Sequence, residues 1–172
     1  MCKEHSPKLI YLVPTIQNPT ATTMSSERRE KIHAVAAQYG VAIIEDDPYW
    51  LLAGDAPPPI AALAGQTHKA PVFYISTLSK CLAPGLRTAY LLMPKSEGME
   101  PILDALRAIM LMPNQSAVSM ASHSIRNGLA KEMLQSIRRE LEQRHKLAAR
   151  ILSGIQQTHP HGLHLWLRLP ER

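Results

Sequence analysis

The chain has 172 residues, 45% of them apolar and 19% charged, with a net charge of +5. That composition supports one ordinary core and argues against intrinsic disorder, while the charge permits an anionic ligand without demanding one. Cys2 and Cys81 form no CxxC pair, which argues against a disulfide framework and fits a reducing cytosol. No apolar run is long enough to span a bilayer, and the N-terminal MCKEHSPK lacks the apolar stretch of a signal peptide.

In chain order, Ile10 to Val13 reads as a buried strand closed by Pro14, followed by the turn-rich PTIQNPTATT. Ser25 or Ser26 is an N-cap candidate, and Glu27 and Glu30 suit the positive end of a helix. Ile32, Val35, Ala36 and Tyr39 share one helical face, and Gly40 stands where a helix-ending glycine belongs. Val41 to Ile44 is a second strand, so the order predicts a βαβ unit with parallel strands. Asp55 to Pro59 reads as loop, Val72 to Ser76 as a third strand and Thr88 to Met93 as a fourth. The short span from Thr77 to Arg87 cannot easily hold a parallel crossover, so the fourth strand is predicted antiparallel. Helical patterning follows over Met99–Met112, Ser116–Arg126 and Leu129 to about Leu152, with a break at Asn127-Gly128. Gly162 to Leu169 alternates like a strand, with its leucines on one face.

Three polar clusters follow the C-terminal ends of the first three strands, the edge where open α/β sheets bind ligands. They are Gln17-Asn18-Pro19-Thr20, then Glu45-Asp46-Asp47-Pro48-Tyr49, then Ser76-Thr77-Leu78-Ser79-Lys80 continued by Pro84-Gly85-Leu86-Arg87. Their chemical types differ: an amide loop, an acidic pair beside a phenol, and a lysine with hydroxyls and an arginine.

QNPT, EDDPYW and STLSK with PGLR resemble the signature of class I/II aminotransferases of fold-type I, the pyridoxal 5′-phosphate (PLP) enzymes. Within that group TMSSERR, IIEDD, LSKCLAPGLR and GLHLWLRLP are most similar to the aminotransferase-like domain of MocR-type regulators of the GntR family. The resemblance runs from Ile10 to Pro170. It implies an α/β fold: part of the fold-type I large domain, a mixed, mostly parallel sheet with flanking helices, plus the start of the small C-terminal domain. The expected division is residues 1–127 and 128–172. By the same resemblance Lys80 holds PLP covalently and later moves the substrate proton. Asp46 pairs with the ring nitrogen, and Tyr49 and Asn18 bond the phenolic oxygen. Arg87, Thr77 and Ser79 hold the phosphate. Asp46 is chosen over Asp47 for its spacing to Tyr49. The implied activity is amino-group transfer between an amino acid and a 2-oxo acid, in the cytoplasm, by a homodimer. The alternative is an effector- or PLP-sensing domain of a MocR-type regulator, touching DNA only through a domain upstream.

Each residue also has a plainer reading. Lys80 and Arg87 could be solvated surface cations, Asp46 and Asp47 turn residues, and Asn18 an ordinary turn former before Pro19. It is the agreement of type, spacing and strand-end position that favours a site. His159, His161 and His164 read as a loop-to-strand surface rather than a metal site, since no cysteine or carboxylate adjoins them in sequence. Arg138, Arg139, Arg144, Lys146 and Arg150, interleaved with Glu140 and Glu142, read as a solvated helix face. Trp50 and Trp166 read as packing residues, and Cys81 has no base partner. Against the family pattern, the N-terminal half of the large domain and the carboxylate-clamping arginine are expected outside this sequence, so the chain alone is expected to be a poor aminotransferase. Ala21 stands where the family often has glycine.

Overall fold

The computed structural model describes residues 2–63, 70–95, 98–152 and 158–167. A short helix α1 (Cys2–His5) precedes strand β1 (Leu9–Leu12), helix α2 (Ser26–Tyr39) and strand β2 (Ala42–Asp46). Short helices α3 (Trp50–Ala53) and α4 (Ile60–Leu63) lead to strand β3 (Val72–Thr77). A 3₁₀ turn (Pro84–Leu86) precedes strand β4 (Ala89–Leu92), and helices α5 (Glu100–Met110), α6 (Gln115–Arg126) and α7 (Leu129–Ile151) follow.

The strands form one sheet in the order β1-β2-β3-β4. β1 and β2 are parallel, as are β2 and β3, while β4 runs antiparallel to β3. This is the expected mixed sheet, and its cause is the expected one: α2 supplies a crossover that the short β3–β4 connection cannot. α2 starts where Ser25 accepts a hydrogen bond from the Arg28 amide and stops at Gly40, at φ 62.

One sheet face packs on α2 and α4. Ile43 and Val72 meet Ala36, Ile60 and Ala70 there, flanked by Ile10, Leu12 and Ile32. Burying each large aliphatic side chain contributes roughly 1.5–3 kcal/mol. The opposite face carries Leu9, Tyr11 and Leu91, all exposed. A second cluster sets Ile16, Tyr49 and Leu52 on Leu141 of α7, and a third sets Leu78 and Cys81 on Ala121 of α6. Leu134 of α7 touches both.

Several expectations need correction. α2 buries Arg29, His33 and Ala36, while Val35 faces solvent. The apolar periodicity could not register a buried arginine or histidine that has polar partners. β2 also runs further than its apolar stretch, taking in Glu45 and Asp46. Residues 162–166 form no strand, and Leu167 carries only an isolated bridge, with 168–169 outside the described residues. The segment is held by side chains instead: His145 Nε2 bonds the Gly162 carbonyl at 2.8 Å and His164 Nε2 the Gln17 carbonyl at 3.1 Å.

Candidate active site

Strand alternation divides the Glu45-Asp46-Asp47 run. Leu12 is opposite Glu45, and Glu45 opposite Tyr74, on the helix-packed face. Asp46 lies on the other face, opposite Ile75, with Tyr11 and Thr77 on the same side. Asp47, its amide bonded to the Ile75 carbonyl at 2.9 Å, returns to the helix side and is fully buried. The two aspartates are thus in different environments, one half-exposed and one sealed.

Asp46 has a partner that the sequence did not signal. The Tyr11 hydroxyl donates to Asp46 Oδ2 at 2.5 Å. That hydrogen bond, with burial and the carboxylate charge, pushes the Tyr11 phenol up to about 12. The only hint in the sequence was a tyrosine inside an otherwise apolar strand, and its meaning needs the β1–β2 register.

Asn18 follows β1, in a loop with a cis Asn18–Pro19 peptide. Gln17 organises this loop, its Oε1 accepting from the Thr20 amide at 3.1 Å and from the Thr20 hydroxyl. Ala21 adopts φ 56, a left-handed backbone that costs a residue with a Cβ about 1–2 kcal/mol. A glycine there would be unstrained. Tyr49 is buried, edge-on to the His164 ring at 5.7 Å, and burial raises its phenol.

Lys80 sits in the turn directly after β3, exposed between buried Leu78 and Cys81. Those two neighbours anchor the turn on α6, so the lysine is presented from a packed base. The Thr77 hydroxyl bonds Ser79 Oγ at 3.1 Å and the Thr88 carbonyl at 3.1 Å. Arg87 closes the 3₁₀ turn at φ 47 and is exposed. Among the described residues, the side chains of Asn18, Lys80 and Arg87 make no hydrogen bond or ion pair with the protein, so none joins Lys80 to Asp46. The structure therefore places all seven expected residues along the C-terminal edge of β1–β3, but joins directly only Thr77 with Ser79. Cys81 is buried, its thiol raised by that burial and bonded to the Thr77 carbonyl, the opposite of the exposed, low-pKa setting of a reactive thiol.

The histidines are half-buried rather than superficial, and carboxylates from distant parts of the chain meet them. His159 pairs with Asp55 at 2.7 Å and His161 with Glu142 at 2.8 Å. Arg138 likewise leaves the solvated face of α7 to bond the Leu52 carbonyl at 2.9 Å and that of Leu51. Among the described residues no group of three histidine, cysteine or acidic side chains could hold a metal.

The family model described as aminotransferase class I and II matches residues 2–172. The chain belongs to this family. Proteins similar to this chain carry the names of both transcriptional regulators and aminotransferases. The HTH-type transcriptional regulator YdeF of Bacillus subtilis (strain 168), itself uncharacterized, is 32% identical over 98% of this chain and 36% of its own. An uncharacterized aminotransferase of Saccharolobus solfataricus is 35% identical over 89% of this chain and 37% of its own. The chain thus spans little more than a third of these curated relatives. Among solved structures, Pyrococcus horikoshii kynurenine aminotransferase superposes with a TM-score of 0.73 at 27% identity, over 90% of this chain and 39% of that one. The α-aminoadipate aminotransferase LysN of Thermus thermophilus shares the fold, with a TM-score of 0.77 at 24% identity, over 93% and 42%. The architecture is that of part of a fold-type I aminotransferase.

Proposed function

We propose that this chain carries the cofactor-holding edge of a PLP-dependent aminotransferase. The observation that carries the reading is the C-terminal sheet edge: a lysine, an arginine and an asparagine stand there exposed and unengaged, beside an aspartate oriented by a tyrosine. This donor set suits a flat, doubly anionic phosphate ester with a basic ring nitrogen.

PLP, when bound, supplies an electron sink for the pair left behind when an amino acid loses its Cα proton. The protein's part is positional. The Lys80 amine would hold the cofactor and, once released, carry the proton. Asp46 would keep the ring nitrogen protonated through a charge-assisted hydrogen bond, with Tyr11 holding the other side of the carboxylate. Asn18 and Tyr49 would bond the phenolic oxygen, and Arg87, Thr77 and Ser79 the phosphate.

The similarity to HTH-type regulators over nearly the whole chain favours a second reading, in which the same edge senses PLP or an amino acid. In either case residues 128–172 are the connecting helix and the beginning of a small domain. A homodimer fits the exposed apolar side chains of Ile109 and Leu111, 83% and 82% accessible. A cytoplasmic location agrees with the family resemblance and the two free cysteines.

Titration of the chain with PLP tests the reading. A saturable visible band is expected, lost in Lys80→Ala and formed with about tenfold weaker affinity in Arg87→Ala, the scale of a lost charge-assisted contact. If an amino acid then bleaches the band, even slowly, the enzyme is favoured; if it binds with no bleaching on prolonged incubation, the sensor is. A wild-type chain with no band refutes both.

A further inference from the structure

Beneath the candidate site lies a charged cluster that the proposed chemistry does not use. Arg29, Glu45 and Asp47 are all fully buried. Arg29 of α2 reaches under the loop after β1: its Nε donates to the Met24 carbonyl at 3.1 Å and its Nη2 to Thr15 Oγ1 at 3.0 Å and the Pro14 carbonyl at 3.4 Å. Its Nη1 donates to the Pro58 carbonyl at 3.3 Å and stands 3.6 Å from Glu45 and 4.0 Å from Asp47. Thr15 Oγ1 in turn donates to Asp47 Oδ2 at 3.0 Å. Glu45 is spoken for by the Ile60 and Ala61 amides, at 2.8 and 2.9 Å.

We propose that Arg29, Thr15 and Asp47 are positioning residues: a buried lock that fixes the loop carrying Asn18 against the strand end carrying Asp46 and Tyr49. The proposal rests on the cofactor reading above and adds to it the residues that hold the site's two halves in one geometry.

Three observations carry it. First, the lock joins the two segments that supply the site. Thr15 is three residues before Asn18, Asp47 is next to Asp46, and Arg29 bonds the loop at both its ends, Pro14 and Met24. Second, the loop is strained. Ile16 and Ala21, both buried, hold φ of 47 and 56, and such backbone persists only where its surroundings over-determine it. Third, Arg29 stands 3.6 Å from Glu45 and 4.0 Å from Asp47 with all three fully buried, and because apolar replacement of a buried ion pair is often neutral or stabilising, stability alone does not account for the cluster. What this cluster supplies is geometry.

The charges also define which form of Asp47 sits in the lock. One guanidinium faces two buried carboxylates. The groups around Asp47 are Arg29 from α2, Glu45 and Asp46 from β2 and Tyr74 from β3, with Thr15 as its donor. Asp47 Oδ1 is buried with no hydrogen-bond partner among the described residues. A neutral carboxyl tolerates that place far better than a carboxylate. Burial pushes Asp47 up to about 7, in the same direction.

Amide hydrogen exchange of the chain without cofactor tests the lock, and PLP titration tests the positioning. The reporters are Gln17, Ala21 and Met24, whose amides bond the Thr22, Gln17 and Pro14 carbonyls within the loop. β2 and β3 amides serve as controls for an intact fold. Thr15→Val keeps the shape and removes the central hydroxyl; its loop amides should exchange about tenfold faster and its PLP affinity should fall about tenfold, the scale of one buried hydrogen bond. Thr15→Ser and Asp47→Asn, which keep a partner in place, should stay within about threefold of wild type in both. Wild-type exchange in Thr15→Val overturns the lock. Faster exchange with unchanged PLP affinity overturns the positioning role. Loop opening in Asp47→Asn as large as in Thr15→Val overturns the neutral carboxyl. A wild-type chain that binds no PLP removes the cofactor reading and the positioning role together, while the exchange rates still decide whether the lock holds the loop.

Discussion

Tyr11 and Asp46 meet across two parallel strands, hydroxyl to carboxylate at 2.5 Å, on the sheet face that α2 and α4 leave open. Tyr11 is 59% exposed and the bond lies at the surface, open to a ligand that approaches Asp46. The proton stays on Tyr11 because the neighbouring carboxylate disfavours a second negative charge.

Asp46→Asn should therefore release Tyr11 from about 12 toward the ordinary ~10 of a tyrosine. Ultraviolet titration reads this as one tyrosine moving into the normal range, a component absent from the Tyr11→Phe/Asp46→Asn double variant. Stability from the pair is complete below the ordinary phenol value and is lost as pH rises through about 12. A Tyr11 titration unchanged by Asp46→Asn would show that the bond does not form in solution.

Asp47 gives a pH dependence of the opposite usefulness, in the physiological range. Its folded value of about 7 lies above the ordinary 3.8, so the folded state holds a proton that the unfolded state has lost. Stability should fall as pH rises from about 4 to about 7 and then level, by on the order of 4 kcal/mol in all. Glu45, also raised by burial, acts in the same direction. Asp55 and Glu142, lowered by His159 and His161, lose their contribution only as pH falls through the acidic range. Urea unfolding across this window should show the slope in wild type and a much flatter profile in Asp47→Asn. Equal slopes in the two would place Asp47 as an ordinary carboxylate.

How far this was legible in the sequence differs from residue to residue. The parallel and antiparallel pairings followed from connection length, and Ser25 and Gly40 marked the ends of α2, because those signals are local. The acidic run was legible as a cluster but not as two sites: only the β1–β2–β3 register puts Asp46 beside Tyr11 and sends Glu45 and Asp47 beneath. Arg29 was hidden because a hydrophobic pattern treats any arginine as outward-facing. His159 and His161 read as surface in the sequence because their carboxylate partners, Asp55 and Glu142, are remote along the chain and come adjacent only in the fold.

Gly54 illustrates such a remote constraint. At φ 81 it suits glycine, and a Cβ there would lie 2.7 Å from Arg138 Nη2. Gly54→Ala should destabilise by about 2 kcal/mol, from backbone strain and the displaced guanidinium. Arg138→Ala should cost about 1 kcal/mol through its lost bonds to the Leu51 and Leu52 carbonyls. In the double variant the clash is gone, so the combined loss should be smaller than the sum. Strict additivity by chemical denaturation would show that the two do not touch.

If this sheet edge holds PLP through Lys80, chemical mapping of the attachment site finds it there. The chain is incubated with PLP, reduced with borohydride to make the attachment permanent, digested, and its peptides weighed. One dominant phosphopyridoxyl adduct is expected, on the peptide containing Lys80, that vanishes in Lys80→Ala without appearing elsewhere. Adducts spread over surface lysines such as Lys95, Lys131 and Lys146, and unchanged by Lys80→Ala, would contradict it.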